Sequence, residues 1–277
     1  MIVITDLDGT LLDGGSYSFE PARPALEALK RAHVPLILCT SKTREETEFW
    51  RRALDNVHPF IVENGGAVFV PEGYFAAEAP FDKRADGYGI LEFGRPYAEL
   101  REVLEDIRAA TGFPLRGFGD MTAREIAERC GFSREEAVLA AAREYDEPFE
   151  GIEDGALDRV VQEALSHGCR VVRGGRFHHL VGGSDKGRAV RALRSLYEAD
   201  RGPQDAVALG DSANDVPMLR AVDIPVIVRR PDGTCLEAED LSGPIVAPYP
   251  GPEGWREAIL AILGPTTRSE ADKPDKN

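Results

Sequence analysis

Two aspartates near the start of the chain have the type and spacing of a catalytic pair. The sequence Asp-Leu-Asp-Gly-Thr begins at Asp6 and follows a short apolar run. At a strand end, one carboxylate and a main-chain carbonyl can share a hard cation while the other carboxylate handles a proton. Carboxylates that attack phosphorus are an established class of nucleophile. We interpret Asp6 as a nucleophile and Asp8 as its acid/base partner; the alternative is an N-capping aspartate in a turn.

Three further polar pieces follow apolar segments in chain order. Thr40 follows the apolar segment 34–39, Lys186 lies in a glycine-containing stretch, and Asp211 opens an acidic loop after the apolar segment 206–210. Each piece is weak alone, because such a threonine is usually a helix cap and such a lysine a solvated charge. Together they are strong, since a phosphoryl group in transfer needs fixed donors and cations aimed at its oxygens.

This order of motifs resembles that of the haloacid dehalogenase-like phosphohydrolases, whose first motif is Asp-x-Asp-x-Thr. The resemblance implies that Asp6 attacks phosphorus and that Asp8 acts as the acid and base. It implies that Thr40 and Lys186 bind the phosphoryl group. We therefore predict a phosphoric monoester hydrolase that works through an aspartyl-phosphate.

The same region predicts a magnesium site. Its candidate ligands are all oxygens, which Mg²⁺ prefers: the Asp6 carboxylate, the Asp8 main-chain carbonyl and the Asp211 carboxylate. The resemblance implies that Asn214 and Asp215 orient the water ligands or the lysine from outside this ligand set. The alternative for Asp215 is an acidic residue at a helix N-terminus, which the helix dipole favours.

Alternating strands and helices at both ends of the chain predict an α/β fold. We expect a doubly wound parallel-sheet, Rossmann-like core whose strand ends form the binding crevice, with all four motifs at that edge. The predicted strands are 2–5, 34–39, 60–62, 206–210 and 226–228. The predicted helices are 21–31, 43–54, 186–196 and 215–221.

The middle of the chain has a mixed pattern of helices and short strands that predicts an inserted α+β cap domain. We expect a core formed by residues 1–83 and 183–264, a substrate-specificity cap at 84–182, and a disordered tail at 265–277, which is charged and nearly free of apolar residues. The predicted cap helices are 96–110, 122–129, 133–143 and 154–166. The predicted cap strands are 87–93, 169–173 and 177–180.

Four segments narrow the substrate, because they resemble those of mannosyl-3-phosphoglycerate phosphatases. These segments are 40–43, 63–66, 143–147 and 174–178. The resemblance implies Mg²⁺-dependent hydrolysis of mannosyl-3-phosphoglycerate to mannosylglycerate, a compatible solute. Alternatives are another sugar phosphate such as glucosyl-3-phosphoglycerate, a phosphomutase, and a non-catalytic sugar-phosphate sensor.

Such a substrate carries a carboxylate and a sugar besides its phosphate. Arginine suits a carboxylate because it binds bidentately. Arg143 and Glu144 have an alternative role as a helix-end salt bridge. His178 and His179 alternate on a strand, so we expect only one, taken as His178, to face the pocket. The predicted substrate-binding residues are Arg143 and Arg176 for the carboxylate, Glu144 and His178 for sugar hydroxyls, Lys42 and Thr43 between the two groups, and Asn64.

Composition limits the partners of the protein. A formal net charge of −15 over 277 residues argues against a nucleic-acid substrate, which needs a basic surface, but allows a small anionic sugar phosphate. The sequence contains no apolar run of membrane-spanning length, and its N-terminus leaves no room for a signal peptide, so we expect no membrane partner and a cytoplasmic location. The four scattered cysteines predict neither a zinc site nor a disulfide framework.

Overall fold

The computed structural model describes residues 1–77, 79–152, 155–173, 177–238, 241 and 243–264. The strands in this part of the chain are β1 (Ile2–Thr5), β2 (Leu36–Cys39), β3 (Phe60–Val62), β4 (Ala67–Pro71), β5 (Lys83–Ala85), β6 (Tyr88–Glu92), β7 (Arg116–Gly117), β8 (Asp146–Glu150), β9 (Arg170–Arg173), β10 (His178–Val181), β11 (Ala206–Gly210), β12 (Ile224–Arg229) and β13 (Ile245–Pro250).

The helices of the described residues alternate with the strands of the core and cluster in the cap. They are α1 (Arg23–Arg31), α2 (Arg44–Ala53), α3 (Tyr97–Thr111), α4 (Ala123–Cys130), α5 (Arg134–Ala141), α6 (Leu157–Ser166), α7 (Lys186–Arg201), α8 (Val216–Leu219) and α9 (Gly251–Leu263). None of these helices is both long and apolar enough to cross a membrane.

The larger sheet has the order β13-β12-β11-β1-β2-β3-β4-β6-β5. The strands from β13 to β3 are parallel, and β4, β6 and β5 extend the sheet antiparallel. Alternate residues of β1 enter different apolar clusters: Val3 packs in the cluster of Leu26 and Trp255, and Ile4 in that of Val190. Helices therefore cover both faces, which confirms the predicted α/β core.

Strand register brings the polar motifs singled out in the sequence to one edge of this sheet. Thr5, the last residue of β1, lies opposite Leu209 of β11 and Leu38 of β2. Because neighbouring strands lie roughly 4.8 Å apart, the polar residues that follow these three strands come close together. They are Asp6, Thr40 and Asp211.

The inserted cap is built on a smaller antiparallel sheet of order β7-β8-β10-β9. One face of this sheet packs against α3 and α6, with Phe149 and Leu180 buried among residues such as Leu104 and Val160. The helices α4 and α5 form a separate hairpin around Ile126. The other face of the sheet borders the cavity described below.

Two predictions for the cap differ from the structure. The helix predicted to reach residue 143 ends at Ala141, and the segment 143–147 leads into strand β8 instead of ending a helix. Pro148 favours this extended backbone, because a proline disfavours helical dihedral angles at the residue before it, here Glu147. The strand predicted at 87–93 pairs with β4 in the larger sheet. We therefore propose that the cap begins near Phe93.

The predicted disordered tail at 265–277 lies outside the described residues.

Candidate active site

A buried lysine joins two aspartates at the centre of the strand edge. Lys186 begins α7, and its Nζ donates to Oδ1 of Asp6 over 2.6 Å and to Oδ1 of Asp215 over 2.7 Å. All three side chains are buried. Although burial lowers it, the pKa of Lys186 lies above its ordinary range because of Asp215 and Asp6. The lysine is therefore a fixed cation beside the predicted nucleophile.

The acidic loop after β11 is held by its own backbone and by the first motif. Oδ2 of Asp215 accepts from the backbone N–H groups of Asp211, over 3.1 Å, and Ser212, over 3.0 Å. The hydroxyl of Thr10 donates to Oδ1 of Asp211 over 2.9 Å. Gly9 has a φ of +80°, and a Cβ there would lie 3.1 Å from Oδ2 of Asp211. Glycine thus lets the two loops approach.

The donor set of this cluster fits a hard metal ion. One carboxylate oxygen from each of Asp6, Asp211 and Asp215 lies within 4.8 Å of the others. Burial, with repulsion from Asp215, raises the pKa of Asp211 to about 6. Burial also raises the pKa of Asp6 well above its usual range, against the opposing effect of Lys186. One ammonium does not offset three carboxylates this close together, two of them buried, and a divalent cation bound by oxygens would.

Asp8 has a separate cationic partner. Its Oδ1 lies 3.0 Å from Nζ of Lys42, which is also 3.8 Å from Glu46 and 5.0 Å from the centre of the Tyr17 ring. The Asp8 side chain is 40% exposed, whereas that of Asp6 is 8% exposed. The two aspartates of the first motif therefore point into different surroundings, as different chemical roles require.

Thr40 is fully buried where β2 ends, and its hydroxyl accepts the N–H of Lys42 over 3.2 Å. The cavity wall at this strand end is formed by Ser41 and Lys42. Asn214 lies on the acidic loop and also borders the cavity. The structure thus brings Lys42 and Asn214 to the cavity beside Asp6, and places Thr40 in the packing that supports them.

A cavity of about 790 Å³ separates the strand ends from the cap, which is a size suited to a small organic ligand. Its core side includes Asp6, Asp8 and Asp211. Its wall also contains four cationic side chains, which could pair with an anionic ligand in a protein of acidic composition. They are Lys42, Arg143, Arg173 and Arg230.

Several predicted substrate-binding residues lie where the cap meets the core. We call this contact the seam: core residues 41–43 and 63–64 against cap residues 139–146. Arg143 donates to the carbonyls of Ser41, over 2.8 Å, and Ala140, over 2.9 Å, and its guanidinium packs over the ring of Phe118. It borders the cavity, but two of its donors already bind the protein backbone.

Thr43 and Glu144 do not contribute to the cavity wall in the predicted way. Thr43 is the N-cap of α2: its hydroxyl accepts from the N–H of Glu46 over 3.1 Å and donates to the carbonyl of Leu139 over 2.9 Å. The carboxylate of Glu144 lies 3.0 Å from the Arg44 guanidinium. Both side chains therefore have structural partners and do not border the cavity, and their substrate roles stay predictions.

The structure places His179, instead of the predicted His178, in the cavity wall. His178 lies on the same face of the small sheet as Phe149, with 5.9 Å between ring centres. His179, one residue on, borders the cavity, and its Nδ1 lies 2.8 Å from Oδ1 of Asp146. The expected alternation holds, but the register of β10 on β8 places His179 at the cavity and His178 in the packing against Phe149. Arg176 lies outside the described residues.

Asn64 connects the core to the cap. Its amide nitrogen donates to Oδ2 of Asp146 over 2.7 Å, and its carbonyl accepts from the amide of Asn214 over 3.0 Å. The neighbouring Glu63 carboxylate accepts the backbone N–H groups of Glu144 and Tyr145, over 2.9 Å and 2.8 Å. Burial raises the pKa of Glu63 to about 8, although Arg143 opposes the shift. The side chains of Glu63 and Asn64 thus bind the cap, and neither lines the cavity.

Comparison with known proteins decides the family. The family model of haloacid dehalogenase-like hydrolases matches residues 3–86 and 167–239. A protein of Methanococcoides burtonii named glucosyl-3-phosphoglycerate/mannosyl-3-phosphoglycerate phosphatase is 46% identical over 264 residues, covering 95% of this chain and 97% of that protein. The chain belongs to the haloacid dehalogenase-like hydrolases.

Two further comparisons agree with this membership. The mannosyl-3-phosphoglycerate phosphatase of Pyrococcus horikoshii is 38% identical over 231 residues, covering 82% of this chain and 90% of that protein. A solved structure from Thermoplasma acidophilum superimposes with a TM-score of 0.68 at 19% identity, covering 95% of this chain and 97% of that one. At that identity the likeness shows a shared fold.

Sequence reasoning missed three polar residues of this haloacid dehalogenase-like hydrolase: Glu63, Asp146 and His179. A signal for the first was present in the sequence, because Glu-Asn-Gly-Gly directly follows a core strand. The structure adds that Glu63 and Asn64 both adopt a positive φ, of 47° and 57°. Asp146 carried no such signal, since its strand was read as a helix end.

Proposed function

We propose that this hydrolase releases phosphate from mannosyl-3-phosphoglycerate and leaves mannosylglycerate. One observation carries the proposal: Asp6 and Asp8 contact different lysines at the floor of a cavity whose wall contains four cationic side chains. That arrangement suits a phosphomonoester with a second anionic group. The names of the relatives support this choice of substrate.

Glucosyl-3-phosphoglycerate is a second candidate substrate, because the name of the Methanococcoides burtonii relative includes both sugars. The two sugars differ at one hydroxyl group, so one or two contacts in the cap decide between them. A phosphomutase would use the same core residues but return the phosphoryl group to sugar.

In the proposed mechanism, the Asp6 carboxylate attacks phosphorus in line with the leaving glycerate oxygen. Asp8 gives a proton to that oxygen as its bond to phosphorus breaks, which leaves an aspartyl-phosphate on Asp6. Asp8 then takes a proton from the water that attacks this intermediate, so that Asp6 and phosphate are released. Lys186, fixed 2.6 Å from Asp6, counters the negative charge next to the nucleophile.

We propose that the metal ion is Mg²⁺. Asp6 and Asp211 would hold it by their carboxylates and Asp8 by its main-chain carbonyl, with Asp215 and Asn214 supporting them. The bound ion would offset repulsion between the anionic nucleophile and the anionic phosphoryl group. The close approach of the three carboxylates, with the raised pKa of Asp6 and Asp211, supports the assignment.

For the glycerate carboxylate we propose Lys42 and Arg143, which both border the cavity. Lys42 lies beside Asp8, so it can bind the substrate close to the reacting phosphate. Arg176 stays a prediction for the same role, and the cytoplasmic location also stays a prediction.

The test is phosphate release from mannosyl-3-phosphoglycerate, with and without Mg²⁺. The panel includes glucosyl-3-phosphoglycerate, 3-phosphoglycerate, mannose 6-phosphate and p-nitrophenyl phosphate. We expect turnover of the two sugar phosphoglycerates to exceed that of the other compounds, to disappear with a chelator and to return with Mg²⁺. Turnover of only 3-phosphoglycerate or mannose 6-phosphate would contradict the substrate, and an isomeric sugar phosphate without free phosphate would indicate a mutase.

A further inference from the structure

A continuous row of hydrogen-bonded side chains runs from the catalytic loop into the cap. The amide of Asn214 donates to the Asn64 carbonyl over 3.0 Å, and the Asn64 amide donates to Asp146 over 2.7 Å. Asp146 in turn lies 2.8 Å from Nδ1 of His179. The first two residues belong to the core and the last two to strands β8 and β10 of the cap. The row therefore joins the two parts of the protein.

The direction of every hydrogen bond in this row follows from the carboxylate. Burial raises the pKa of Asp146, but His179, Arg143 and Asn64 together hold it below its ordinary value, so the carboxylate is ionised and only accepts. Nδ1 of His179 therefore carries a proton, and the amide nitrogen of Asn64 faces Asp146. The remaining polar atom of the imidazole ring is Nε2, on a side chain that borders the cavity.

Burial and backbone conformation both indicate that this row of side chains is held in a fixed arrangement. Asp146, Asn64 and His179 are all buried, and a buried carboxylate is costly unless it is fully hydrogen-bonded. Asn64 has a φ of 57° and Glu63 one of 47°, a conformation that is unfavourable for side chains such as that of glutamate. Glu63 uses this turn to bind the backbone just before Asp146. The same turn thus fixes both the chain and the side chain of Asp146.

We propose that His179 contacts a sugar hydroxyl of the substrate through Nε2, and that Asp146 and Asn64 are positioning residues that hold its ring. The inference rests on the proposed function, because it names part of the surface that would recognise the same substrate. With its phosphorus at Asp6, a substrate in this cavity extends toward the cap face that His179 borders. Nε2 is the ring nitrogen that Asp146 leaves for a hydrogen bond with the hydroxyl. A small ester without a sugar does not use this contact.

The experiment compares His179→Ala and His178→Ala on two substrates, a sugar phosphoglycerate and p-nitrophenyl phosphate. We expect His179→Ala to lower kcat/KM for the sugar ester by about tenfold, mainly through KM, the loss of one hydrogen bond. Turnover of p-nitrophenyl phosphate should change by less than twofold. His178 supplies the matched comparison, because it is the adjacent residue on the opposite face of the same strand.

Two further variants separate contact from folding. His179→Gln keeps a polar group that can reach the hydroxyl and should retain part of the lost activity. Asp146→Asn no longer fixes the proton on Nδ1 and should raise KM for the sugar ester without changing KM for p-nitrophenyl phosphate. Thermal midpoints of all variants identify any that fail to fold. If His179→Ala does not fold, the comparison of His179→Gln with the wild type on the two substrates provides the test.

The outcomes distinguish this inference from the proposed function. If the wild-type protein hydrolyses p-nitrophenyl phosphate but no sugar phosphoglycerate, the proposed function fails, and the hydroxyl contact with it. If it hydrolyses the sugar ester, and His179→Ala either has no effect or slows both substrates equally, only the inference is overturned. The same holds if His178→Ala produces the larger loss on the sugar ester.

Discussion

The cluster of Asp6, Lys186, Asp211 and Asp215 differs from the seam: the predictions from sequence motifs agree with the structure in the cluster and agree less well in the seam. In the cluster, Asp6, Lys186 and Asp211 converge as their motifs predicted. In the seam, the predicted ligands Thr43 and Arg143 bind backbone groups across the cap–core contact. Both regions contain polar residues that follow recognisable motifs. A motif therefore locates a functional neighbourhood, but the topology of the chain decides which side chains reach the ligand.

The difference arises from how each region is held. The cluster lies at the ends of parallel strands whose register leaves each following residue little choice of direction. The seam is formed by turns and helix ends whose neighbours belong to another part of the fold. If this account is correct, substitution of Asp6 should remove catalysis, and substitution of seam residues that do not border the cavity, such as Thr43, should mainly change stability.

Asp6→Asn should have the largest effect on activity. Asparagine keeps an oxygen that can accept from Lys186, but it is a much poorer nucleophile, so we expect kcat to fall by about a thousandfold or more. Phosphate release and a thermal midpoint together provide the measurement. The fold should be retained, and activity within tenfold of the wild type would contradict the role of Asp6.

Lys186→Met should give the largest loss of stability. The substitution leaves Asp6 and Asp215 buried without their cation, and breaking a buried pair in this way costs about 3–5 kcal/mol. Urea unfolding measures the loss. Adding Asp215→Asn to this variant removes one of the stranded charges and should recover part of the stability; no recovery would mean that the methionine acts through packing.

Much of this contrast could be predicted from the sequence, and the limit is physical. Alternating strands and helices were enough to place Asp6, Thr40 and Asp211 at one sheet edge, since strand ends are fixed by the fold. The choice between His178 and His179 depends on which face of β10 lies toward α3 and α6, which is set by pairing with β8. The sequence pattern predicts a helix end where β8 begins, so it gives no basis for choosing between His178 and His179.

The edge of the large sheet gives a second example. β13 contains Pro248 and Pro250, which disfavour a strand in any local reading. Among the described residues it pairs with β12 alone, and an edge strand tolerates proline because one of its sides needs no backbone donors. Position at the edge of the sheet, not propensity, makes the strand possible.

Glu63→Gln should show how strongly the seam responds to pH. The folded protein raises the pKa of Glu63 from an ordinary value of 4.5 to about 8, chiefly by burial. Between these values the folded state keeps a proton that the unfolded state has lost, so the free energy of unfolding decreases as pH rises and levels off above about 8.

Relative to Glu63→Gln, the wild type should therefore lose about 2–3 kcal/mol of stability between pH 6 and pH 8. Urea unfolding of both proteins across this range measures the difference, which cancels titrations that the two share. Parallel pH profiles for the two proteins would show that the Glu63 carboxylate ionises normally in the fold.

Thr43→Ala should have the smallest effect and bears most directly on the contrast between the regions. Its hydroxyl caps α2 and bonds to Leu139 of the cap, so its removal should cost about 1 kcal/mol of stability, the usual value of an N-cap. Thr43→Ser keeps the hydroxyl and should retain most of that stability. Because the hydroxyl is occupied by these two partners, KM for the sugar phosphoglycerate should change by less than twofold in both variants. A tenfold rise in KM for the alanine variant alone would return Thr43 to the substrate site.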